Sequence, residues 1–170
     1  LDHLSACATY PHNLGEGKLP GAVENQTNYL IGLAHEALGN TDKASAAFTQ
    51  AAAGNTEPTG VMYYNDQPAD SIYYQGLAWQ KLGNRFEARK RFHKLHDYGE
   101  KHVNDTMRID YFAVSLPDFL VFEEDLDKKN QTYCRYLMGL GLLGLGEAAA
   151  GEASLAEATR LDPNHQGVRF

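Results

Sequence analysis

The chain has 170 residues, of which 43% are hydrophobic and 22% charged, and its net charge is −7. This composition is typical of a soluble globular protein with a core, and the negative charge argues against nucleic acid and anionic membranes as partners. No stretch approaches the ~18 apolar residues that a membrane span needs. The two cysteines, Cys7 and Cys134, are too far apart for a zinc or redox motif, so a reducing, cytoplasmic compartment is expected, with any targeting signal outside this piece.

The first predicted element is a short helical tail over 1–11. Ala6 and Pro11 have the same five-residue separation as Ala158 and Pro163 near the other end of the chain. The tail therefore looks like the second helix of a truncated repeat. A loop follows over 11–21, because three Gly and two Pro occur in that stretch.

Three later segments align without gaps, at 29–39, 73–83 and 136–146. Each reads Tyr-x-x-Gly-Leu-(Ala/Gly)-x-x-x-Leu-Gly, which predicts one helix ending at the second Gly. A second helix should follow, with a small residue, a large apolar residue and another apolar residue at fixed offsets. These are Ala44, Phe48 and Ala51 in the first unit, Ala88, Phe92 and Leu95 in the second, and Gly151, Leu155 and Ala158 in the third.

This pattern resembles the tetratricopeptide repeat, a pair of antiparallel helices over 34 residues. The resemblance implies an all-α superhelix of helix pairs, an α-solenoid, in which neighbouring pairs stack to bury their apolar faces. The first Gly of each unit is expected to let the two helices approach closely, and the second to adopt a left-handed conformation.

Irregular spacing of the units predicts two insertions within a single helical repeat domain that spans 1–170. The repeats are placed at about 25–56, 69–100 and 132–165, and the insertions at 57–68 and 101–131. Apolar residues over 109–122 predict that the second insertion is ordered and packs across the repeats.

Three longer strings, at 13–19, 63–70 and 109–118, resemble the C-terminal repeat region of a family of large bacterial proteins. Their uncharacterised N-terminal domain is held to be a β-sandwich of carbohydrate-handling character. The resemblance implies that this chain is the helical tail of a multidomain protein, and it carries over no catalytic residue.

Other motifs have simpler explanations. Residues 139–144 match the dinucleotide fingerprint G-x-G-x-x-G, but they lie inside a predicted helix rather than after a strand. His93 and His96 share a helix face, with His102 placed beyond Gly99 and past the helix end, and no carboxylate completes a metal motif. The basic helix around Arg85 to Lys94 and the acidic run at 123–127 leave three interpretations open: solvated faces, pairing with each other, or a site for phosphate or an acidic partner.

The strongest candidate site is aromatic. Tyrosine recurs three residues before the first Gly of each unit, at a position that in tetratricopeptide repeats faces the concave groove. Tyr offers an apolar ring with one polar group, which suits contact with a peptide or a sugar. The predicted ligand-binding groove comprises Tyr29, Tyr73 and Tyr136, with Gln26, Asp70 and Gln80 as polar neighbours. The alternative is that these rings pack beneath the insertions.

We therefore predict a non-catalytic binding or scaffold module of a larger bacterial protein. Its partner is a protein or peptide segment, or the parent protein's own N-terminal domain, and carbohydrate is possible. The alternative is an accessory helical part of a carbohydrate-active enzyme, completing its site. No nucleophile–base pair, metal set or phosphate loop stands out, so no catalytic residue, metal or cofactor is predicted for this fragment.

Overall fold

The computed structural model describes residues 1–7, 9, 13, 23–60, 67–107 and 125–168. These residues form α-helices joined by turns, and they contain no β-strand. The α-helices are α1 (Asp2–Cys7), α2 (Asn25–Ala37), α3 (Thr41–Ala51), α4 (Ser71–Lys81), α5 (Arg85–His102), α6 (Leu126–Leu145) and α7 (Ala148–Leu161). In this described part of the chain no helix is long and apolar enough to cross a membrane.

The chain divides into two compact units, Leu1–Phe92 and His93–Phe170. The division falls inside α5, so the first part of that helix belongs to the first unit and the remainder to the second. Each unit is described below by itself.

Helices α2 and α3 form the first antiparallel pair of the first unit. Gly39 lies in the turn between them with a φ of +73°, a left-handed conformation that glycine adopts without steric cost. Further back on α2, a Cβ added to Gly32 would lie closer than 3.0 Å to the ring of Phe48 on α3. Both predicted roles of the repeated glycines are therefore confirmed in this pair.

The pair α4 and α5 repeats this arrangement. Gly83 has a φ of +79°, and a Cβ on Gly76 would meet the Phe92 ring closer than 3.0 Å. Phe92 is fully buried, so its ring fills the space that the missing side chain leaves. Asn84 lies immediately before α5, and its side-chain oxygen accepts a hydrogen bond from the backbone N–H of Glu87 at 3.1 Å.

One core of the first unit lies between α3 and α4. It contains the buried residues Ala44, Phe48, Ala51, Ala52 and Ala78, against which Tyr29, Leu33, Trp79 and Leu82 pack. Small residues dominate this core, because alanine lets the helix backbones lie close together while the aromatic rings fill the remaining volume.

Buried amide side chains hold the segment that follows α3. The Asn25 side chain donates hydrogen bonds to the carbonyls of Ala51 and Ala53, both at 2.7 Å. Downstream, Gln75 donates to the Asn55 carbonyl at 2.9 Å, and Gln67 both donates to that carbonyl and accepts from the Asn55 N–H. The Ala51 carbonyl is one of those that the end of α3 leaves without a helical partner, and the other bonds satisfy backbone groups of the segment that follows.

In the second unit, the end of α5 packs closely against α6. A Cβ added to Gly99 would lie 2.5 Å from the carbonyl oxygen of Cys134 and from Met138. Helix α5 continues through Gly99 to His102, so the expectation that His102 lies past the helix end is wrong. Gly99 serves close helix contact here rather than helix termination, which a sequence pattern cannot distinguish without knowledge of the neighbouring helix.

Helices α6 and α7 form a further pair with the same geometry. Gly146 has a φ of +90° at the end of α6, and a Cβ on Gly139 would lie 2.6 Å from Leu155 on α7. Residues 139–144 lie within α6, which confirms the prediction that they belong to a helix rather than to a loop after a strand, and Gly139 makes the close contact with α7.

Helix α6 begins at Leu126, within the range predicted as the second insertion. The Asp125 carboxylate accepts a hydrogen bond from the Lys128 N–H at 3.0 Å and caps this longer helix. The buried Asn130 side chain donates to the His102 carbonyl at 2.8 Å, which ties the added turn to the end of α5. The predicted repeat and insertion boundaries within 1–170 stay a prediction.

Several sequence-based expectations fall outside the described residues. These are the ordered packing of 109–122, most of the loop at 11–21, and the acidic residues Glu123 and Glu124.

Candidate functional site on helices α2 and α4

Helices α2 and α4 lie next to each other in the first unit, and tyrosines line their contact. The Tyr29 ring on α2 lies 5.8 Å from the Phe48 ring and 6.1 Å from that of Tyr74 on α4, measured between centroids. On α4, Tyr73 lies 5.7 Å from Tyr74 and 5.8 Å from Phe92. All these separations fall within the range of favourable aromatic pairs, so the three tyrosines form one continuous cluster.

The tyrosine cluster, defined as Tyr29, Tyr73 and Tyr74, is half-buried. Each ring therefore packs on one side and leaves part of its surface accessible. The two predicted residues Tyr29 and Tyr73 are brought together through Tyr74, which the repeat alignment missed. Its offset holds Leu30 in the first unit and Leu137 in the third, so no recurrent aromatic marked that position. The Tyr73–Tyr74 doublet was the available signal.

Two of the predicted polar residues adjoin this cluster. The Gln26 amide lies near the Tyr74 phenol and acts to lower its pKa, against the larger effect of burial, which raises it. Asp70 stands at the N-cap position of α4, although its side chain makes no capping hydrogen bond to the helix. Its charge acts on Tyr74 and helps to raise the pKa of that phenol. Gln80 is exposed near the other end of α4.

The electrostatics keep the phenols neutral. Burial is the main cause that raises the pKa of Tyr29, Tyr73 and Tyr74 above the ordinary value. At neutral pH each hydroxyl therefore retains its proton and can both donate and accept a hydrogen bond. The cluster offers apolar ring area with neutral polar groups, and no nucleophile or general base.

An ion pair joins α2 to α4 beside this cluster. The Lys81 ammonium lies 2.5 Å from the Glu36 carboxylate, and both side chains are partly exposed. Lys81 also stands 6.0 Å from the centroid of the Phe48 ring. An isolated ion pair with this exposure contributes only about 0–1 kcal/mol to stability. Its main effect is therefore to place one charge of each sign at the edge of the cluster.

Tyr136 has a different environment. It is only 7% exposed, and its ring packs on His165 at 4.8 Å and against Gly167 in the second unit. The turn after α7 thus covers the ring. Burial of this extent leaves little ring surface for a ligand, so Tyr136 does not share the half-exposed state of Tyr29 and Tyr73.

Two histidines of α5, His96 and His102, contact different acidic residues. His102 pairs with Asp105 at 2.6 Å and stacks on Tyr98. His96 adjoins Asp97 and Glu100, and candidate ligand atoms of these three residues lie within 4.8 Å of one another. His96 is partly buried, and both carboxylates are exposed. Such exposed groups often occur together without binding an ion, so this cluster does not define a metal site.

Comparison with protein families gives the decisive observation for the fold. Two models, each described as a tetratricopeptide repeat, match residues 26–53 and 70–98. These ranges contain α2 with α3 and α4 with most of α5. This chain is a tetratricopeptide repeat protein. No solved structure matches the chain.

Membership has general consequences for this tetratricopeptide repeat protein. Tetratricopeptide repeats generally mediate protein–protein interaction or scaffolding, and proteins built from them are typically non-catalytic. The pair α6 and α7 lies outside the matched ranges, yet it has the same left-handed glycine and the same close glycine contact as the matched pairs.

Proposed function

We propose that the first unit binds an extended protein segment on the tyrosine cluster. The observation that carries this proposal is the half-exposed tyrosine surface that joins α2 to α4, with the Gln26 amide near Tyr74 at one end. Tyrosine rings supply contact area with little loss of side-chain entropy, and they are enriched among the residues that dominate binding energy.

The polar residues around the cluster support a peptide ligand. An extended peptide presents alternating backbone donors and acceptors. The Gln26 amide, the Asp70 carboxylate and the neutral phenols provide both kinds of group along one helix pair. The nearby Glu36–Lys81 pair adds one charge of each sign. The broader assignment, as a scaffold of a larger bacterial protein, rests on the sequence resemblance alone and is part of the same proposal.

Tyr74 is the residue that best tests this function. Tyr73 packs on the fully buried Phe92, so its removal is expected to lower stability as well as binding. Tyr74 instead contacts the other two tyrosines of the cluster. Tyr74→Phe removes only the hydroxyl and keeps the ring packing, whereas Tyr74→Ala removes the ring.

The experiment begins with selection of a phage-displayed random-peptide library on the wild-type chain. The affinity of the most enriched peptide is then measured by fluorescence anisotropy. We expect Tyr74→Ala to weaken binding by about tenfold or more, Tyr74→Phe and Gln26→Ala to weaken it less, and Lys43→Ala, at an exposed position of α3, to leave it unchanged. Fluorescence of Trp79, the single tryptophan, checks that each variant remains folded.

Two outcomes would overturn the proposal. One is that no peptide is enriched over a blank surface. The other is that Tyr74→Ala unfolds the first unit while Tyr74→Phe and Gln26→Ala bind like the wild type, which would assign the cluster to the core. A parallel glycan panel tests the alternative role in carbohydrate binding, which predicts a glycan whose capture is lost in Tyr74→Ala.

A further inference from the structure

The first turns of α5 carry a surface of a different kind. Arg85, Arg89 and Lys90 are exposed, and none of them makes an ion pair in the part of the chain that the structure describes. Between them lies Phe86, whose side chain is 76% exposed. By contrast, Arg91 on the same helix is paired with Glu87.

Helix geometry brings these four residues together. Phe86 precedes Arg89 and Lys90 by three and four positions, and Arg85 precedes Arg89 by four. Side chains at such spacings are neighbours on a helix surface. The buried Ala88 and Phe92 occupy the other side of the helix and attach it to the core. We call the exposed set Arg85, Phe86, Arg89 and Lys90 the cationic patch.

The residues of the cationic patch do not stabilise the folded first unit. A phenylalanine with most of its ring in water gains little from folding, and three neighbouring cations without ion-pair partners repel one another. Neither feature contributes to the stability of the first unit. Arginine and aromatic residues are, however, the types most enriched at protein interfaces, which points to a surface that is covered in a complex.

We propose that the cationic patch binds a short acidic protein segment that carries one apolar side chain. Carboxylates of that segment pair with Arg85, Arg89 and Lys90, and its apolar side chain covers the Phe86 ring. This site is separate in its residues from the tyrosine cluster and goes beyond the function proposed for it.

Charge decides between the possible anionic partners. The whole chain carries a net charge of −7 although this segment is positive, so the rest of the chain is more negative than that value. Nucleic acid, with one charge per ~1.7 Å of duplex, and an anionic membrane both extend beyond the patch and meet this negative remainder. From Arg85 to Lys90 the helix rises only about 7.5 Å, which matches a few extended peptide residues.

The alternative that the acidic run at 123–127 pairs with this basic helix concerns two described aspartates that already have other hydrogen bonds. Asp125 caps α6, and Asp127 accepts a hydrogen bond from the Met107 N–H at 2.7 Å. Both described aspartates of the predicted acidic run therefore have structural roles already. A separate acidic segment is the occupant to which the charge complementarity points.

The test uses a short fluorescein-labelled peptide in which Glu and Asp surround a single Leu, together with the same peptide carrying Ser in place of Leu. We expect Arg89→Glu/Lys90→Glu to weaken binding of the Leu peptide at least about tenfold, or 1.4 kcal/mol. Phe86→Ala should weaken binding of the Leu peptide and leave the Ser peptide unaffected. Affinity should fall as NaCl increases, because added salt screens exposed charges.

A matched control separates the patch from net charge. Lys43→Glu/Lys128→Glu changes the total charge by the same amount at two exposed positions on α3 and α6, and it should retain most of the affinity. Equal weakening in this control would show a general charge effect and overturn the proposal. So would the absence of binding to the wild type, or tighter binding of single-stranded RNA or phosphatidylserine vesicles than of the peptide.

One further arm keeps the two sites distinguishable. Tyr74→Ala should bind the acidic Leu peptide as the wild type does. If Tyr74→Ala abolishes this binding while Arg89→Glu/Lys90→Glu does not, the acidic peptide occupies the tyrosine cluster and the cationic patch is not its site. If the library peptides bind Tyr74→Phe and Gln26→Ala as they bind the wild type, the proposal for the tyrosine cluster fails while the expectation for the cationic patch is unaffected.

Discussion

Replacement of Gly76 tests the packing on which each helix pair depends. A Cβ at this position would meet three atoms of the Phe92 ring, all closer than 3.0 Å. Phe92 is 0% exposed, so its ring has no solvent-filled space into which to move. The two helices must therefore separate, or the ring must leave its rotamer.

The change in the free energy of unfolding on replacing Gly76 is set by two opposing effects. Alanine in a helix interior is favoured over glycine by about 1 kcal/mol, whereas overpacking a core costs about 1–3 kcal/mol. Gly76→Ala is thus expected to lie between neutral and about 2 kcal/mol destabilising. Gly76→Leu adds three more carbons to the same space, and we expect a loss of about 3 kcal/mol or more in the free energy of unfolding.

The assay is urea denaturation followed by Trp79 fluorescence. Trp79 packs against the core of the first unit and lies one helical turn from Gly76, so its emission reports unfolding of this unit. Ala46→Leu serves as the control, because it adds a similar side chain at an exposed position of α3 and should change stability by less than about 0.5 kcal/mol. A Gly76→Leu chain as stable as the control would refute the close-packing argument.

Three further predictions concern other buried groups. Asn25→Ala removes both hydrogen bonds to the Ala51 and Ala53 carbonyls and should cost about 2–3 kcal/mol in the same urea assay; an unchanged midpoint would contradict it. Burial raises the pKa of Tyr29, Tyr73 and Tyr74 in the folded chain above the ordinary 10.0. The neutral phenols therefore stabilise the fold at lower pH, and this stability is lost as the pH rises through the folded pKa values. Urea denaturation between about pH 9 and 11 should show a declining free energy of unfolding, and a flat profile would count against the effect. Burial raises the pKa of Cys134 to about 11 whereas Cys7 is exposed, so a thiol reagent should modify Cys7 rapidly and Cys134 only after unfolding; two equally fast thiols would exclude this environment.

The regular part of the fold was predictable because it is local. The left-handed Gly39, Gly83 and Gly146 end helices whose apolar spacing is visible in the sequence. The close contacts of Gly32, Gly76 and Gly139 were also predictable, since each glycine recurs with a large apolar partner at a constant separation. Because the same residue pattern occurs three times, the packing of each helix pair could be predicted from the sequence.

The candidate site was predictable only in part. The alignment selected Tyr29 and Tyr73 through their shared offset, and the structure brings both to one cluster. The alignment could not select Tyr74, because a residue that bridges two neighbouring helices need not recur within each repeat. Nor could it separate the covered Tyr136 from the half-exposed Tyr29, because that difference arises from the turn after α7, where His165 and Gly167 contact the ring.

The helix pairs, their turns and the glycines at their contacts could be predicted from the sequence, because they depend on residues close in the chain and on the helical period. Three features could be found only from the packed helices: α5 continues through Gly99, α6 begins at Leu126, and Tyr136 is covered while Tyr29 and Tyr73 stay partly accessible. Those features depend on what lies across each helix. A sequence pattern specifies which face is apolar, whereas the packing of distant segments determines whether that face is covered.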